Sequence, residues 1–208
     1  MNNRRNGLFL LLLLLSSIFI QVFPVNADYS NQISDSENKA IALLEKMSPE
    51  EKIGQLFLVS FQGAELNSES SIYDLISNHH IGGVILNSRN DNFSNVDTIV
   101  SAQNIIKNLQ QSEWDDSQNL FSNQSSSLFE QNNYVPLFIT ISQDGDSYPN
   151  DQIINGITPL PNEMAIGATW NRDYAERIGK VMGQELNSLG FNFYLGPSLD
   201  VLDLPYVE

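Results

Sequence analysis

The chain predicts an α/β fold in which parallel strands alternate with helices. Three observations carry that prediction. Apolar runs of strand length recur at residues 81–86, 135–142 and 191–195. Between them, apolar residues fall at the three-and-four spacing of an amphipathic helix. Ser, Asn, Pro and Gly stand where helix starts and stops need them. Such alternation implies a parallel sheet with helices outside it. A closed barrel and an open doubly wound sheet both satisfy this periodicity.

The elements follow in order. Residues 1–27 read as an export signal. Arg4 and Arg5 give a positive start, residues 8–15 are unbroken leucine and phenylalanine, and Val25-Asn26-Ala27 is a small-residue cleavage site before Asp28. A retained anchor competes, because residues 7–23 approach spanning length. Ser16, Ser17 and Gln21 dilute that run and Pro24 follows it, so cleavage is the reading adopted, and with it a secreted or extracytoplasmic location without stable membrane insertion. The absence of cysteine excludes a lipidated N-terminus, disulfides and thiol chemistry.

Ala40, Ile41, Leu43 and Leu44 suggest a short helix. Ser48-Pro49-Glu50-Glu51 is a helix start with a capping box, Ser48 as cap and Glu51 as its reciprocal acid. Residues 53–61 then turn strand-like. Ile72, Leu75, Ile76 and His79 place a helix over residues 68–79, and residues 81–86 form a buried strand. Val96, Ile99, Val100, Ile106 and Leu109 mark the next helix. Residues 110–133 are rich in Ser, Gln and Asn and read as a flexible loop. Its scattered aromatic residues, Trp114 among them, offer a second reading as a docking surface for a sugar or a partner. Residues 135–142 form a third strand. Asn171 caps a helix whose apolar face is Ala175, Ile178, Met182, Leu186 and Leu189, and Gly190 ends it. Residues 191–195 form a fourth strand, with residues 198–202 continuing past it.

The balance of 25 acidic against 10 basic residues gives a net charge of −15. That argues against nucleic acid and anionic membrane as partners. No spacing of His, Cys or carboxylates suggests a metal site, and no cofactor is expected. His79 and His80 read as a helix terminus interacting with its dipole.

Four segments together resemble one family. They are Met47-Ser48-Pro49-Glu50-Glu51-Lys52-Ile53-Gly54-Gln55-Leu56-Phe57; Ile81-Gly82-Gly83-Val84-Ile85-Leu86-Asn87-Ser88-Arg89-Asn90; Thr158-Pro159-Leu160-Pro161 with Met164-Ala165-Ile166-Gly167-Ala168-Thr169; and Leu189-Gly190-Phe191-Asn192 leading to Gly196-Pro197-Ser198-Leu199-Asp200-Val201. In this order they resemble the N-terminal barrel of family 3 glycoside hydrolases, in its β-N-acetylhexosaminidase-like branch, over residues 34–200. The resemblance implies the N-terminal half of a TIM-type (β/α)8 barrel. Residues 28–208 would then be part of a larger domain.

In such a barrel, ligands bind at the C-terminal ends of the strands. That nominates Phe61-Gln62, Asn87-Ser88-Arg89, Ser142-Gln143-Asp144, and Ser198 with Asp200. Sugars need planar hydrogen-bonding partners for adjacent hydroxyls, which carboxylates, amides and guanidinium groups supply. The family's Asp-Gln-Glu-Gly-Gly-Arg-Val reads Ser142-Gln143-Asp144-Gly145-Asp146-Ser147-Tyr148 here. Ser142 thus stands where the family's sugar-binding Asp would, and the Arg is absent. Asp144 either takes over that role or belongs to a turn; for Asp146 the turn is favoured. Asp200 orients active-site groups or caps a loop. Arg89 contacts substrate or pairs with Asp91, the pairing being preferred.

The implied activity is hydrolysis of terminal β-linked N-acetylhexosamine, or β-glucose, on an oligosaccharide or glycoside by retention. That chemistry needs a nucleophilic carboxylate and a proton donor flanking the bond. The family's nucleophile, Lys-His pair and His-Asp dyad fall beyond Glu208, so no catalytic residue is assigned and the piece alone is expected to be inactive. The alternative is a non-catalytic carbohydrate-binding protein on the same fold. An incomplete barrel would leave the strands at 81–86 and 191–195 as open edges and expose an apolar interior, inviting self-association. The oligomeric state is left open.

Overall fold

A computed structural model describes residues 34–94, 96–118, 133–147 and 151–198. The chain divides into two units between Lys39 and Ala40, and apart from the first residues of one helix every feature discussed below lies in the second. The export signal, residues 119–132 of the expected loop, and Asp200 lie outside the described residues.

The described elements are α1 (Asp35–Lys46), α2 (Pro49–Gly54), β1 (Leu58–Ser60), α3 (Ser71–Ser77), β2 (Gly83–Ile85), a 3-10 turn (Ser88–Asn90), α4 (Thr98–Ser117), β3 (Phe138–Ile141), α5 (Glu163–Ala168), α6 (Arg172–Leu189) and β4 (Phe193–Tyr194). The capping box at α2 forms as the sequence predicts. The Glu51 amide donates to Ser48 Oγ at 3.1 Å, and the Ser48 amide donates to Glu51 Oε2 at 2.7 Å. This helix continues through Gly54, so the strand expected over residues 53–61 shrinks to Leu58–Ser60. Asn171 caps α6, and Gly190 closes it at φ 104, a left-handed conformation for which glycine has no Cβ penalty.

All four strands are parallel and lie in the order β1-β2-β3-β4. A doubly wound sheet reverses its strand order at a switch point; this sheet does not reverse. Helix α3 packs on α4, and α4 on α6, following the strands in sequence. The register aligns Val59, Val84 and Ile139 across three strands. Val84, Leu86, Leu137, Ile139 and Ile141 pack against Ile72, Ile76, Ile105, Leu109, Leu186 and Leu189 of the helices. Each such side chain contributes about 2 kcal/mol of burial. One helix-covered face and one continuous winding are the mark of successive (β/α) units of a barrel.

The other sheet face is open. Leu58, Phe138, Phe193 and Leu195 stand exposed on it, with the Phe138 and Phe193 rings 5.4 Å apart. A Cβ on Gly83 would come within 2.6 Å of Phe138 Cβ and 2.8 Å of Leu58 Cδ2, so glycine lets those two side chains meet across β2.

Three expectations need correction. Helix α4 runs to Ser117, so residues 110–117 are helical, not loop. Their Gln and Glu content supports a helix once Glu113 and Ser117 are buried against the rest of the unit. Strand β2 is central, paired on both sides, so among the described strands the edges are β1 and β4. The apolar face of α6 buries Leu186 and Leu189, while Ala175 stays exposed and Ile178 half-buried.

Candidate functional site

The C-terminal ends of the strands are tied to one another by side chains that sequence reading did not single out. Asn92 is fully buried. Its amide nitrogen donates to the carbonyls of Phe61 at 3.1 Å and Gly63 at 2.8 Å, and its oxygen accepts the Asn87 amide at 2.8 Å. One side chain thus joins the loops after β1 and β2. Gln152 extends the link toward β3, its oxygen accepting the Ser88 amide and hydroxyl at 3.1 and 3.0 Å.

After β3 the chain splits by alternation. Ser142 continues the face of Phe138 and Thr140, away from the helices, and Gln143 continues the helix-facing side of Ile139 and Ile141. The expected contact cluster is therefore divided. Gln143 is buried, and both ends of its amide are engaged. Its nitrogen donates to the Ile153 carbonyl at 2.8 Å, while its oxygen accepts the amides of Gln152 at 3.0 Å and Ile153 at 3.1 Å. In this structure it shapes the loop. The Ser142 hydroxyl and the Asp144 carboxylate make no hydrogen bond with the described residues, and both are half-buried.

Asp151, also missed by sequence reading, clamps the same loop. It accepts the Gly145 amide at 2.7 Å on one oxygen and the Ser147 amide at 2.9 Å on the other. Gly145, Asp146 and Ser147 all have left-handed backbone, at φ 87, 64 and 60. Asp146 is therefore part of a turn, as favoured. Its carboxylate accepts the Asn162 amide at 3.2 Å and the Asn162 side-chain nitrogen. Asn162 in turn caps α5, its oxygen accepting the Ala165 amide at 2.8 Å.

Tyr194 completes this corner. Its hydroxyl donates to the Gln143 carbonyl at 2.8 Å. Burial, then the charges of Asp144, Glu163 and Asp151, push the phenol up to about 12. It remains a neutral donor at physiological pH. Asp144 and Glu163 face a cavity of about 340 Å³ whose other walls include Ile166, Met182 and Pro197. The Asp144 carboxylate beside apolar walls suits a ligand with hydroxyls on one side and C–H groups on the other.

Arg89 sits exposed on the 3-10 turn, and its guanidinium makes no ion pair among the described residues. The preferred Arg89–Asp91 pairing does not form. Asp91 Oδ2 instead accepts Gln62 Nε2 at 2.9 Å. His79 and His80 follow the end of α3, as expected. His79 lies 3.7 Å from Asp74, and the His80 amide donates back to the Ile76 carbonyl at 3.1 Å.

The Glycosyl hydrolase family 3 N terminal domain matches residues 48–206. A Beta-hexosaminidase A from Pseudoalteromonas piscicida is 34% identical over 137 residues, which is 64% of this chain and 19% of that protein. A Beta-N-acetylglucosaminidase/beta-glucosidase from Cellulomonas fimi is 25% identical over 159 residues, 76% of this chain and 22% of that protein. The chain thus spans about a fifth of the length of these relatives. Among solved structures, a glycoside hydrolase family 3 beta-N-acetylglucosaminidase from Paenibacillus sp. str. FPU-7 superimposes with a TM-score of 0.59 at 28% identity, covering 74% of this chain and 25% of that one. The one-way winding of β1 to β4, the polar loops at their C-terminal ends and this match over most of the described residues place the chain in glycosyl hydrolase family 3, through its N-terminal domain.

Proposed function

We propose that this chain forms one wall of the sugar site of an exported glycosidase that removes terminal β-linked N-acetylhexosamine, or β-glucose, with retention of configuration. The supporting observation is the pair of unengaged polar groups, Ser142 and Asp144, at the C-terminal end of β3 in a family of glycosidases. Ser142 offers one hydroxyl to a sugar oxygen. Asp144, held up by the Asp151-clamped loop, offers two acceptor oxygens for adjacent hydroxyls. Arg89 is exposed on the neighbouring loop, available to a longer substrate. Asp200 stays in the proposal as an orienting acid past β4.

Retention requires a nucleophile and a proton donor on opposite sides of the scissile bond. We place both outside the described residues, because the relatives extend far beyond the matched region. Chromogenic β-N-acetylglucosaminide and β-glucoside are the substrates that test this. The 208-residue chain is expected to bind the sugar without turnover. Robust turnover by the chain alone would overturn the placement of the catalytic groups.

The exported location rests on residues 1–27, and N-terminal sequencing of protein from culture medium tests it: a start at Asp28 supports cleavage, and a start at Met1 contradicts it. A non-catalytic carbohydrate-binding protein is the second reading, favoured by serine at position 142. Failure of catalysis in the natural full-length product, with sugar binding intact, would select it.

A further inference from the structure

We propose a second carbohydrate-binding groove, at the opposite end of the sheet from Ser142 and Asp144, built on α4 and the segment leading into β3. Lys107, Gln110, Gln111 and Trp114 recur at the spacing of one helical face, spanning two turns, about 10 Å. Tyr134 faces them from the other side, and the five residues line a shallow, open surface groove of about 350 Å³.

The groove is preformed. Gln110 grips the backbone of Leu137 in both directions: its nitrogen donates to the carbonyl at 2.9 Å, and its oxygen accepts the amide at 3.1 Å. That fixes Tyr134 beside Trp114, with ring centroids 5.0 Å apart and planes at 82°. Trp114 nevertheless keeps 45% of its surface exposed, so the pair does not consume its own apolar area. The Trp114 indole N–H and the Tyr134 hydroxyl make no hydrogen bond with the described residues, and the Lys107 ammonium has no ion pair among them. Gln111 points its amide at Asp115, 2.7 Å away, leaving the amide oxygen as an acceptor.

An aromatic platform ringed by unengaged donors and an acceptor fits the C–H face and rim hydroxyls of a pyranose. The net charge of −15 and the nearby Asp115 and Asp116 disfavour a polyanion, so the occupant is a neutral oligosaccharide. Taking it to be the β-linked N-acetylhexosamine polymer rests on the proposed function; the groove itself does not.

A Trp170→Phe background leaves Trp114 as the single tryptophan reporter. Its fluorescence is titrated with the tetramer of β-1,4-N-acetylglucosamine and, separately, with that of β-1,4-glucose. A saturable change with either is expected. Lys107→Ala, an exposed position that leaves the fold undisturbed, should weaken binding about tenfold, and Asp144→Asn should leave the signal unchanged. Saturation by the glucose tetramer alone would keep the groove and overturn the N-acetylhexosamine assignment. No saturable change with either tetramer, or equal affinity in Lys107→Ala, overturns the groove. Loss of the signal in Asp144→Asn with full retention in Lys107→Ala would overturn it too, while supporting the strand-end site.

Discussion

Asp151 accepts the backbone amide of Gly145 at 2.7 Å, and with the second bond from Ser147 at 2.9 Å it sets the shape of the loop that carries Asp144. Three consecutive left-handed residues are stable there because the two oxygens of one carboxylate hold the Gly145 and Ser147 amides and the Leu160 carbonyl accepts the Asp146 amide at 2.8 Å. Replacing Asp151 with alanine leaves those amides without an acceptor. We predict a loss of about 1–3 kcal/mol in denaturant unfolding, together with weaker sugar binding. Asp151→Asn, which keeps one acceptor, should fall between the two.

The contact role of position 142 gives a gain-of-function prediction. A carboxylate grips two adjacent sugar hydroxyls where a hydroxyl grips one. Ser142→Asp should therefore tighten N-acetylglucosamine binding about tenfold, read by calorimetric titration. Unchanged affinity would mean that Ser142 does not face the sugar.

Glu113 predicts a pH dependence of stability. Burial pushes its carboxyl up to about 7, against the lowering effect of the Val135 amide and with help from the charges of Asp116 and Glu51. In the unfolded chain it titrates near 4.5. The folded state thus holds the proton more tightly, and this contribution is fully present below pH 4.5 and is lost as pH rises through 7. The loss is on the order of 3 kcal/mol at most. Glu51 behaves oppositely. Burial raises it, but the hydrogen bonds from Asn133 and Ser48 prevail and hold it below its ordinary value. Its contribution is lost as pH falls from 4.5 through that lowered value. Thermal melts from pH 5 to 8 should show declining stability in the parent chain and a flatter profile in Glu113→Gln. Parallel profiles would contradict this.

The open sheet face predicts association. Phe138 and Phe193 are in contact with each other yet exposed, and among the described strands β1 and β4 form the edges of the sheet. Apolar patches and free edges of this kind draw a second copy. Sedimentation of the 208-residue chain should show concentration-dependent mass, reduced by Phe138→Lys.

Much of the architecture was legible in the sequence because local chemistry carried it. The Ser48–Glu51 box, the Asn171 cap and the Gly190 stop form at the predicted residues. Strand–helix alternation was legible for the same reason. Barrel winding did not follow from periodicity, which is identical in open and closed sheets; the family resemblance implied it, and strand order and the one-sided helix layer bear it out. The end of α4 was misread because tertiary burial of Glu113 and Ser117 outweighs a polar composition. At the candidate site, the sequence placed Ser142, Gln143 and Asp144 in one contact cluster, yet the pleat sends Gln143 into the helix side and leaves the others without a hydrogen bond to the described residues. Asn92 and Asp151 gave no local signal. Their partners are brought near only by the fold, Phe61 to Asn92 across two loops and Gly145 to Asp151 across a turn.

The most direct measurement is a titration of the isotopically labelled chain with N-acetylglucosamine, followed by backbone amide shifts. Saturable shifts at residues 142–147, absent in Asp144→Asn, are the predicted result. A sugar that binds while those amides stay still would contradict the claim that the C-terminal end of β3 forms the sugar site.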